Sequence, residues 1–365
     1  MSAHDPMPRS SWIFPLLAIG FFAAATGLGL SYQGGAAGLV YSAVVLVILF
    51  GTVFAAVHHA EVIAERIGEP FGTLLLTLSV TIIEVALIAT LMLGDNPNPA
   101  LARDTVFAVV MIVCNGLVGV CMLAGGLRFR EQEFRVSGAS LYLSVLVVLA
   151  TITLVLPNYT TSAPGPLYSE AQLAFVSAVT LVLYGVFLYT QTIRHRDYFI
   201  VGHDEAGAAG TAASRRLLVL SLILLPVSLL AVVLLAKKFS IVVEAGAALI
   251  GAPPAFAGLV VALLILLPES VAAIAAARAN DLQKSINLAL GSSLATIGLT
   301  VPAVAVATVA LHKPLVLGLG GQETVLLAMT VLVSMLTFGT GRTNVLFGLV
   351  HALVFAVYVF LVFAP

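Results

Sequence analysis

The sequence predicts an all-α polytopic membrane protein with eleven transmembrane helices, arranged as one helix followed by two inverted five-helix repeats. First, the 365 residues are 61% hydrophobic and only 9% charged, whereas soluble domains carry roughly 25% charged residues. Second, several segments exceed the ~18 consecutive apolar residues that mark a membrane span. Third, two such segments each contain a central glutamate, Glu84 and Glu269, and these lie 185 residues apart.

The apolar segments define the eleven predicted helices. They cover residues 11–30, 37–60, 71–94, 104–126, 138–156, 170–193, 217–250, 255–277, 284–310, 322–340 and 343–363. The seventh segment is interrupted by Lys237, Lys238 and Glu244, so it could be one long tilted helix or a span with an interfacial segment. Arg9 is the one Lys or Arg residue before the first apolar segment. We therefore expect a retained helix rather than a cleaved signal peptide.

Lysine and arginine residues lie mostly on one side of this topology. One side holds only Arg103 and Lys313. The other side holds twelve: Arg9, Arg66, Arg128, Arg130, Arg135, Arg194, Arg196, Arg215, Arg216, Arg278, Lys284 and Arg342. Because cytoplasmic loops are enriched in these residues, we predict a bacterial inner-membrane protein with a cytoplasmic N-terminus and a periplasmic C-terminus. The loop 194–216 is then cytoplasmic, either as a solvated linker or as a regulatory segment.

Two carboxylates are predicted to lie in the middle of the membrane. Glu84 is the fourteenth residue counted from Phe71, and Glu269 is the fourteenth counted from Phe256. At a rise of about 1.5 Å per residue, both lie near the centre of a ~30 Å hydrocarbon layer. An ionisable group at that depth is costly, and it therefore indicates a functional site.

The matching positions of the two glutamates indicate two similar halves. The predicted division is an N-terminal segment with the first helix at 1–36, repeats at 37–193 and 217–365, and a linker at 194–216. Each repeat has an odd number of helices, so the second enters the membrane upside down. Inverted repeats with binding residues at the midplane are a recurrent plan of secondary transporters.

A polar stripe accompanies the first carboxylate. Thr73, Thr77, Thr81 and Glu84 are spaced by four, four and three residues, so they share one face of a helix. The stripe could face the interior of a helix bundle and supply ligands. Alternatively, the threonine hydroxyls could bond their own helix backbone.

A proline directly precedes the second carboxylate. Pro268 has no N–H and cannot bond the carbonyl of Leu264, four residues earlier. A freed carbonyl beside the Glu269 carboxylate suits a hard cation, which prefers oxygen ligands. We therefore predict a discontinuous helix at a binding site, with a simple tolerated kink as the alternative.

The ninth and fourth segments supply further polar candidates. On a regular helix, four hydroxyl residues lie within about 100° of arc: Ser292, Ser293, Thr296 and Thr300. Asn287 points elsewhere on the same helix, so it is a weaker candidate. In the fourth segment the buried amide of Asn115 could reach the site, or it could bridge neighbouring helices.

Other function classes find little support in the sequence. The net charge is −1, which gives no case for nucleic acid, and no phosphate-binding, zinc-protease or serine-hydrolase motif occurs. Cys114 and Cys121 are about 10 Å apart on one helix, too far for a disulfide. Four histidines have no evident catalytic partner: His58, His59, His312 and His351. We expect neither an enzyme nor a bound cofactor.

Two stretches carry a family resemblance. GEPFGTLLLTLSVTIIEVALI (68–88) and LLPESVAAIAAARANDLQKSINLALGSSLATIGLTVP (266–302) resemble the two signature repeats of the calcium:cation antiporter superfamily. They are most similar to its ChaA-type cation/proton antiporters. GGLRFREQEF (125–134) resembles the end of the family's fourth helix. The resemblance implies one plus five plus five helices, with the essential acids of the third and eighth helices at Glu84 and Glu269.

The resemblance also implies an activity. Cytoplasmic Ca²⁺, Na⁺ or K⁺ would be exchanged for protons by alternating access. The expected partners are these ions, protons and the lipid bilayer, and the sequence leaves a homo-oligomer open. The alternative from the residues alone is a passive cation channel or a membrane scaffold without transport. An open pore favours rings of charges or carbonyls, whereas only two acids lie deep in this membrane protein.

Overall fold

The fold is a bundle of membrane-spanning helices. The computed structural model describes residues 7–92, 98–199 and 215–364, and eleven helices in these ranges are long and apolar enough to cross a membrane. They are α1 (Ser10–Gly27), α2 (Gly35–Ile67), α3 (Phe71–Met92), α4 (Leu101–Phe129), α5 (Val136–Tyr159), α6 (Glu170–Arg194), α7 (Arg215–Ile250), α8 (Ala255–Arg278), α9 (Leu282–Ala310), α10 (Gly321–Phe338) and α11 (Val345–Phe363). Each predicted segment corresponds to one helix, so the predicted fold class is confirmed. Most of the predicted linker, at 200–214, lies outside the described residues.

Helix α7 resolves the uncertainty about the seventh segment. It is one continuous helix of 36 residues, which at 1.5 Å per residue is about 54 Å long. The stretch between Arg216 and Lys237 alone covers about 30 Å, the thickness of the hydrocarbon layer. The two lysines therefore coincide with the far end of the apolar stretch, and the helix continues beyond them. Glu244 accepts a hydrogen bond from Ser240 at 2.9 Å within that extension.

Two compact units can be distinguished by their internal contacts, and the first contains α1, α2, α3 and α7. In this unit α2 and α7 share the most extensive interface. His59 is completely buried there, with Nδ1 3.1 Å from Ser221 Oγ and Nε2 3.0 Å from the Ser11 carbonyl oxygen. The predicted segment 37–60 ended too early: α2 continues to Ile67, and His59 therefore lies within the helix and in the interface.

The second unit contains α4, α5, α6, α8, α9, α10 and α11. Glycines allow close helix contacts in it: a Cβ on Gly119 would lie 2.9 Å from Ala352 N, and one on Gly348 would lie 2.8 Å from Leu123 N. Helices α4 and α11 are therefore packed backbone to backbone, as small residues permit in membranes. Cys114 and Cys121 are free and buried on α4, as predicted.

A short antiparallel ribbon joins two loops of the second unit. Strand β1 (Glu131–Glu133) follows α4 and pairs with β2 (Arg342–Asn344), which follows α10, with Gln132 opposite Thr343. Gln132 is 2% exposed and donates hydrogen bonds to the Ala277 carbonyl and to Asn280 Oδ1, both at 3.0 Å. The ribbon was not predicted, because three-residue strands leave no periodic signal in the sequence.

The two packing units differ from the two predicted repeats. The first unit takes α2 and α3 from the first predicted repeat and α7 from the second. A packing unit records which helices touch, whereas a repeat records which segments are equivalent in sequence. The repeat limits 37–193 and 217–365 therefore stay a prediction.

The predicted orientation leads to a direct test. Eleven helices place the two termini on opposite sides, and the lysine and arginine bias places the residues after Phe363 in the periplasm. A reporter active only in the periplasm should work when fused there, and a cytoplasmic reporter should not. Fusions truncated after Arg135, in the loop after α4, serve as the control and should show the reverse. The topology would be contradicted if one reporter worked at both positions, or if the cytoplasmic reporter worked after Phe363 and the periplasmic one after Arg135.

Candidate functional site

The first predicted carboxylate is deeply buried. Glu84, on α3, is 1% exposed, and Thr81, one turn earlier, is 8% exposed. The hydroxyl of Thr81 donates to the Thr77 carbonyl at 2.9 Å, and that of Thr77 donates to the Thr73 carbonyl at 2.8 Å. Both hydroxyl protons are therefore used in hydrogen bonds to carbonyl groups of the same helix. A hydroxyl oxygen has two lone pairs, so the oxygen of Thr81 can still face a cation.

Thr73 belongs to the end of the helix rather than to the site. Its hydroxyl donates to the carboxylate of Glu69 at 2.7 Å, in the turn just before α3 begins. The polar stripe near the middle of the helix is therefore limited to Thr77, Thr81 and Glu84.

The second predicted carboxylate lies on α8. Glu269 is half-buried, and Pro268 beside it is buried. The helix runs without interruption from Ala255 to Arg278 through Pro268, so the predicted discontinuous helix is wrong. Helix α8 packs against α4 and α9, and neighbouring helices allow a membrane helix to continue through a proline. The Leu264 carbonyl still lacks a hydrogen bond from residue 268.

Helix α9 contains the predicted hydroxyl cluster. Ser293 is 0% and Thr296 is 4% exposed, while Ser292 is half-buried. The Ser293 hydroxyl has no hydrogen-bond partner among the residues that the structure describes. A buried polar atom of this kind calls for an explanation, and a ligand oxygen of an ion site is a fitting one.

The regular-helix geometry assumed for α9 does not hold beyond Ala295. Residues Thr296–Thr300 form a π-helical turn, which changes the angular spacing, so Thr300 does not keep its predicted place in the arc. Another π-helical turn, Ile112–Leu117, interrupts α4 and contains Asn115, and two more lie near the ends of α5 and α6, at Thr151–Val155 and Thr190–Arg194. The turns of α4 and α9 begin 184 residues apart, close to the separation of the two glutamates. Such turns occur frequently at functional sites.

Asn115 bridges helices through its side chain. It is completely buried, and its Nδ2 donates to Thr330 Oγ1 on α10 at 2.8 Å. Its Oδ1 lies 3.4 Å from His351 Nδ1 on α11. The helix-bridging interpretation is therefore confirmed, and a role of Asn115 as a cation ligand stays a prediction. The partners were missed because they lie 215 and 236 residues along the chain.

Asn287 is confirmed as a poor site candidate. Its Nδ2 donates to the Phe199 carbonyl at 2.6 Å, and its Oδ1 accepts from Gln283 at 2.9 Å. Its own carbonyl accepts from the Tyr142 hydroxyl at 3.3 Å. These bonds join α9 to α5 and to the residues just after α6.

Asn115 and Glu269 lie at a similar level of the second unit. Helices α4 and α8 run in the same direction, because Gly258 packs against Asp104 near their starts and Arg128 donates to the Arg278 carbonyl near their ends. Asn115 follows Asp104 by eleven residues on α4, and Glu269 follows Gly258 by eleven residues on α8. The π-helical turn of α4 also contacts α8.

Comparisons with known proteins agree with this architecture. The model of the sodium/calcium exchanger protein family matches residues 37–193 and 220–364. A candidate ionic transporter of Sinorhizobium fredii is 45% identical over 365 residues, covering 100% of this chain and 98% of that protein. The sodium-potassium/proton antiporter ChaA of Escherichia coli is 37% identical over 360 residues, covering 98% and 96%.

Solved structures share the fold. The structure of native YfkE superposes with a TM-score of 0.74 at 17% identity, covering 97% of this chain and 100% of that one. The H⁺/Ca²⁺ exchanger CAX superposes with a TM-score of 0.69 at 15% identity, covering 96% and 87%.

The chain therefore belongs to the sodium/calcium exchanger protein family. Within that family it is a ChaA-type member, as the resemblance of its two glutamate-centred motifs implied.

Proposed function

We propose that this integral membrane protein is a secondary active antiporter that exchanges cytoplasmic cations for protons. The observation that carries the proposal is the burial of Glu84, which is 1% exposed on an otherwise apolar helix. A carboxylate in that setting is expensive unless function requires it. Glu269 at the equivalent sequence position and the unbonded hydroxyl of Ser293 support the same conclusion.

The cation is proposed to be an alkali or alkaline-earth ion. The Escherichia coli relative is named a sodium-potassium/proton antiporter, and the structural neighbours YfkE and CAX are named Ca²⁺/H⁺ or H⁺/Ca²⁺ proteins. Carboxylate, hydroxyl and carbonyl oxygens are ligands that such hard cations prefer. The supporting ligands would be Thr77, Thr81, Ser292, Ser293 and Thr296, with the Leu264 carbonyl and Asn115.

The mechanism follows from competition at the carboxylates. An ionised carboxylate attracts a cation, whereas a protonated one does not. Protons arriving from the periplasm would displace the cation on that side, and loss of the protons to the cytoplasm would restore the cation site. Alternating access through the two inverted repeats would connect the steps. No enzymatic step or bound cofactor is needed, and a bacterial inner membrane would provide the proton gradient.

A liposome assay tests the proposal. Purified protein is reconstituted with a pH-sensitive dye inside, and gradients of Ca²⁺, Na⁺ or K⁺ are imposed in turn, with membrane potential clamped. We expect at least one cation gradient to move protons in the opposite direction against their own gradient, because antiport couples the two flows. Protein-free liposomes are the control. Flux that only ever runs downhill would instead support the passive channel.

A further inference from the structure

Both ring nitrogens of His351 have a hydrogen-bond partner, and these partners indicate which nitrogen carries the proton. The residue is completely buried on α11, with Nδ1 3.4 Å from Asn115 Oδ1 and Nε2 3.1 Å from Thr337 Oγ1. The amide oxygen of Asn115 can only accept, so Nδ1 carries the proton and Nε2 accepts from the Thr337 hydroxyl. This tautomer follows from the amide orientation in which Asn115 Nδ2 donates to Thr330.

The hydrogen bonds form one chain with a single direction. Thr337 donates to His351, His351 to Asn115, and Asn115 to Thr330, whose hydroxyl lies 3.4 Å from Met111 Sδ. If the amide of Asn115 were flipped, its NH₂ group would face the Nδ1–H of His351, two donors against each other. The Nδ1–H tautomer of His351 and this orientation of the amide therefore stabilise each other.

The ring has little freedom to move away. A Cβ on Gly119 would lie 3.2 Å from His351 Cβ, and the backbones of α4 and α11 are in contact on either side of it. Close packing of this kind leaves few alternative rotamers for a buried side chain. The helix packing thus holds the His351 ring beside the Asn115 amide.

The oriented amide lies at the level of the proposed ion site. Asn115 is on the π-helical turn that contacts α8, the helix of Glu269. A carbonyl oxygen has two lone pairs, so Asn115 Oδ1 can accept from His351 and still ligate a cation. We propose that His351 is a positioning residue that holds this oxygen toward the cation and thereby raises cation affinity. This inference rests on the proposed antiport function.

His351→Phe tests the role, because it keeps the ring volume and removes both nitrogens. We expect the apparent KM for the cation to rise about fivefold to tenfold, which corresponds to the loss of about one hydrogen bond. The maximal rate should stay within about twofold of the wild-type rate. His59→Phe is the matched control. His59 is also completely buried, and its ring nitrogens contact Ser221 and Ser11 rather than Asn115, so KM should not change.

A double-mutant cycle separates positioning from a general packing defect. In an Asn115→Ala background, His351→Phe should raise KM no further, because the group it positions is gone. An unchanged KM in the single variant, or an additive increase in the double variant, would overturn the role. If His351→Phe does not yield folded protein, His351→Leu removes both ring nitrogens with a smaller side chain, and the same two outcomes apply. Absence of cation-driven flux in the wild-type protein would instead overturn the proposed function itself.

Discussion

Replacing Glu84 or Glu269 by glutamine is expected to lower cation-driven proton flux at least about 100-fold. Glutamine has nearly the same shape, but it cannot carry the exchanged proton and offers no negative charge to the cation. A substitution that removes two charge-assisted contacts of about 1.5 kcal/mol each loses about 3 kcal/mol, which corresponds to a roughly 100-fold change. Insertion and folding should survive, because a neutral amide is cheaper than a carboxylate inside the bilayer.

The measurement is the liposome assay at saturating cation, with thermal unfolding of each purified variant recorded alongside. Glu170→Gln is the matched control. Glu170 is an exposed carboxylate in the first turn of α6, and its substitution should leave the flux within about twofold. Near-wild-type flux in either Glu84→Gln or Glu269→Gln would exclude that glutamate from the exchange reaction.

Acidification on the cation-binding side should weaken apparent cation affinity strongly. If protons and cations share the two carboxylates, each must reduce the affinity for the other by the same factor. Where both carboxyl groups are protonated, each further unit of pH downward should raise the apparent dissociation constant up to about 100-fold, because two protons must leave. The direction follows from charge: affinity is highest at high pH and is lost as the pH falls.

A grid of initial rates over pH and cation concentration provides the test. Raising the cation concentration should restore the rate at low pH, since the competition is for one site. Separate proton and cation sites would give another pattern, in which the maximal rate falls with pH while the apparent affinity stays constant. Constant affinity across two pH units would therefore exclude a shared site.

The sequence by itself determined the membrane helices and the positions of the two carboxylates near the middle of their helices. A bilayer requires about 20 apolar residues for each span and satisfies backbone groups only within helices or closed barrels. Hydropathy alone therefore located α1–α11, including the seventh segment that proved to be one helix. The burial of Thr81, Ser293 and Thr296 was likewise predictable, because Thr81 is on the helix of Glu84 and the two others are on the apolar helix that follows the helix of Glu269.

Only the tertiary structure decided how the polar groups are connected. The hydrogen bonds of Asn115 reach partners more than 200 residues away, and no local pattern encodes such pairings. The π-helical turns, the unbroken helix through Pro268 and the interface position of His59 also depend on packing against other helices. In each case contacts with segments distant in the sequence decide the arrangement.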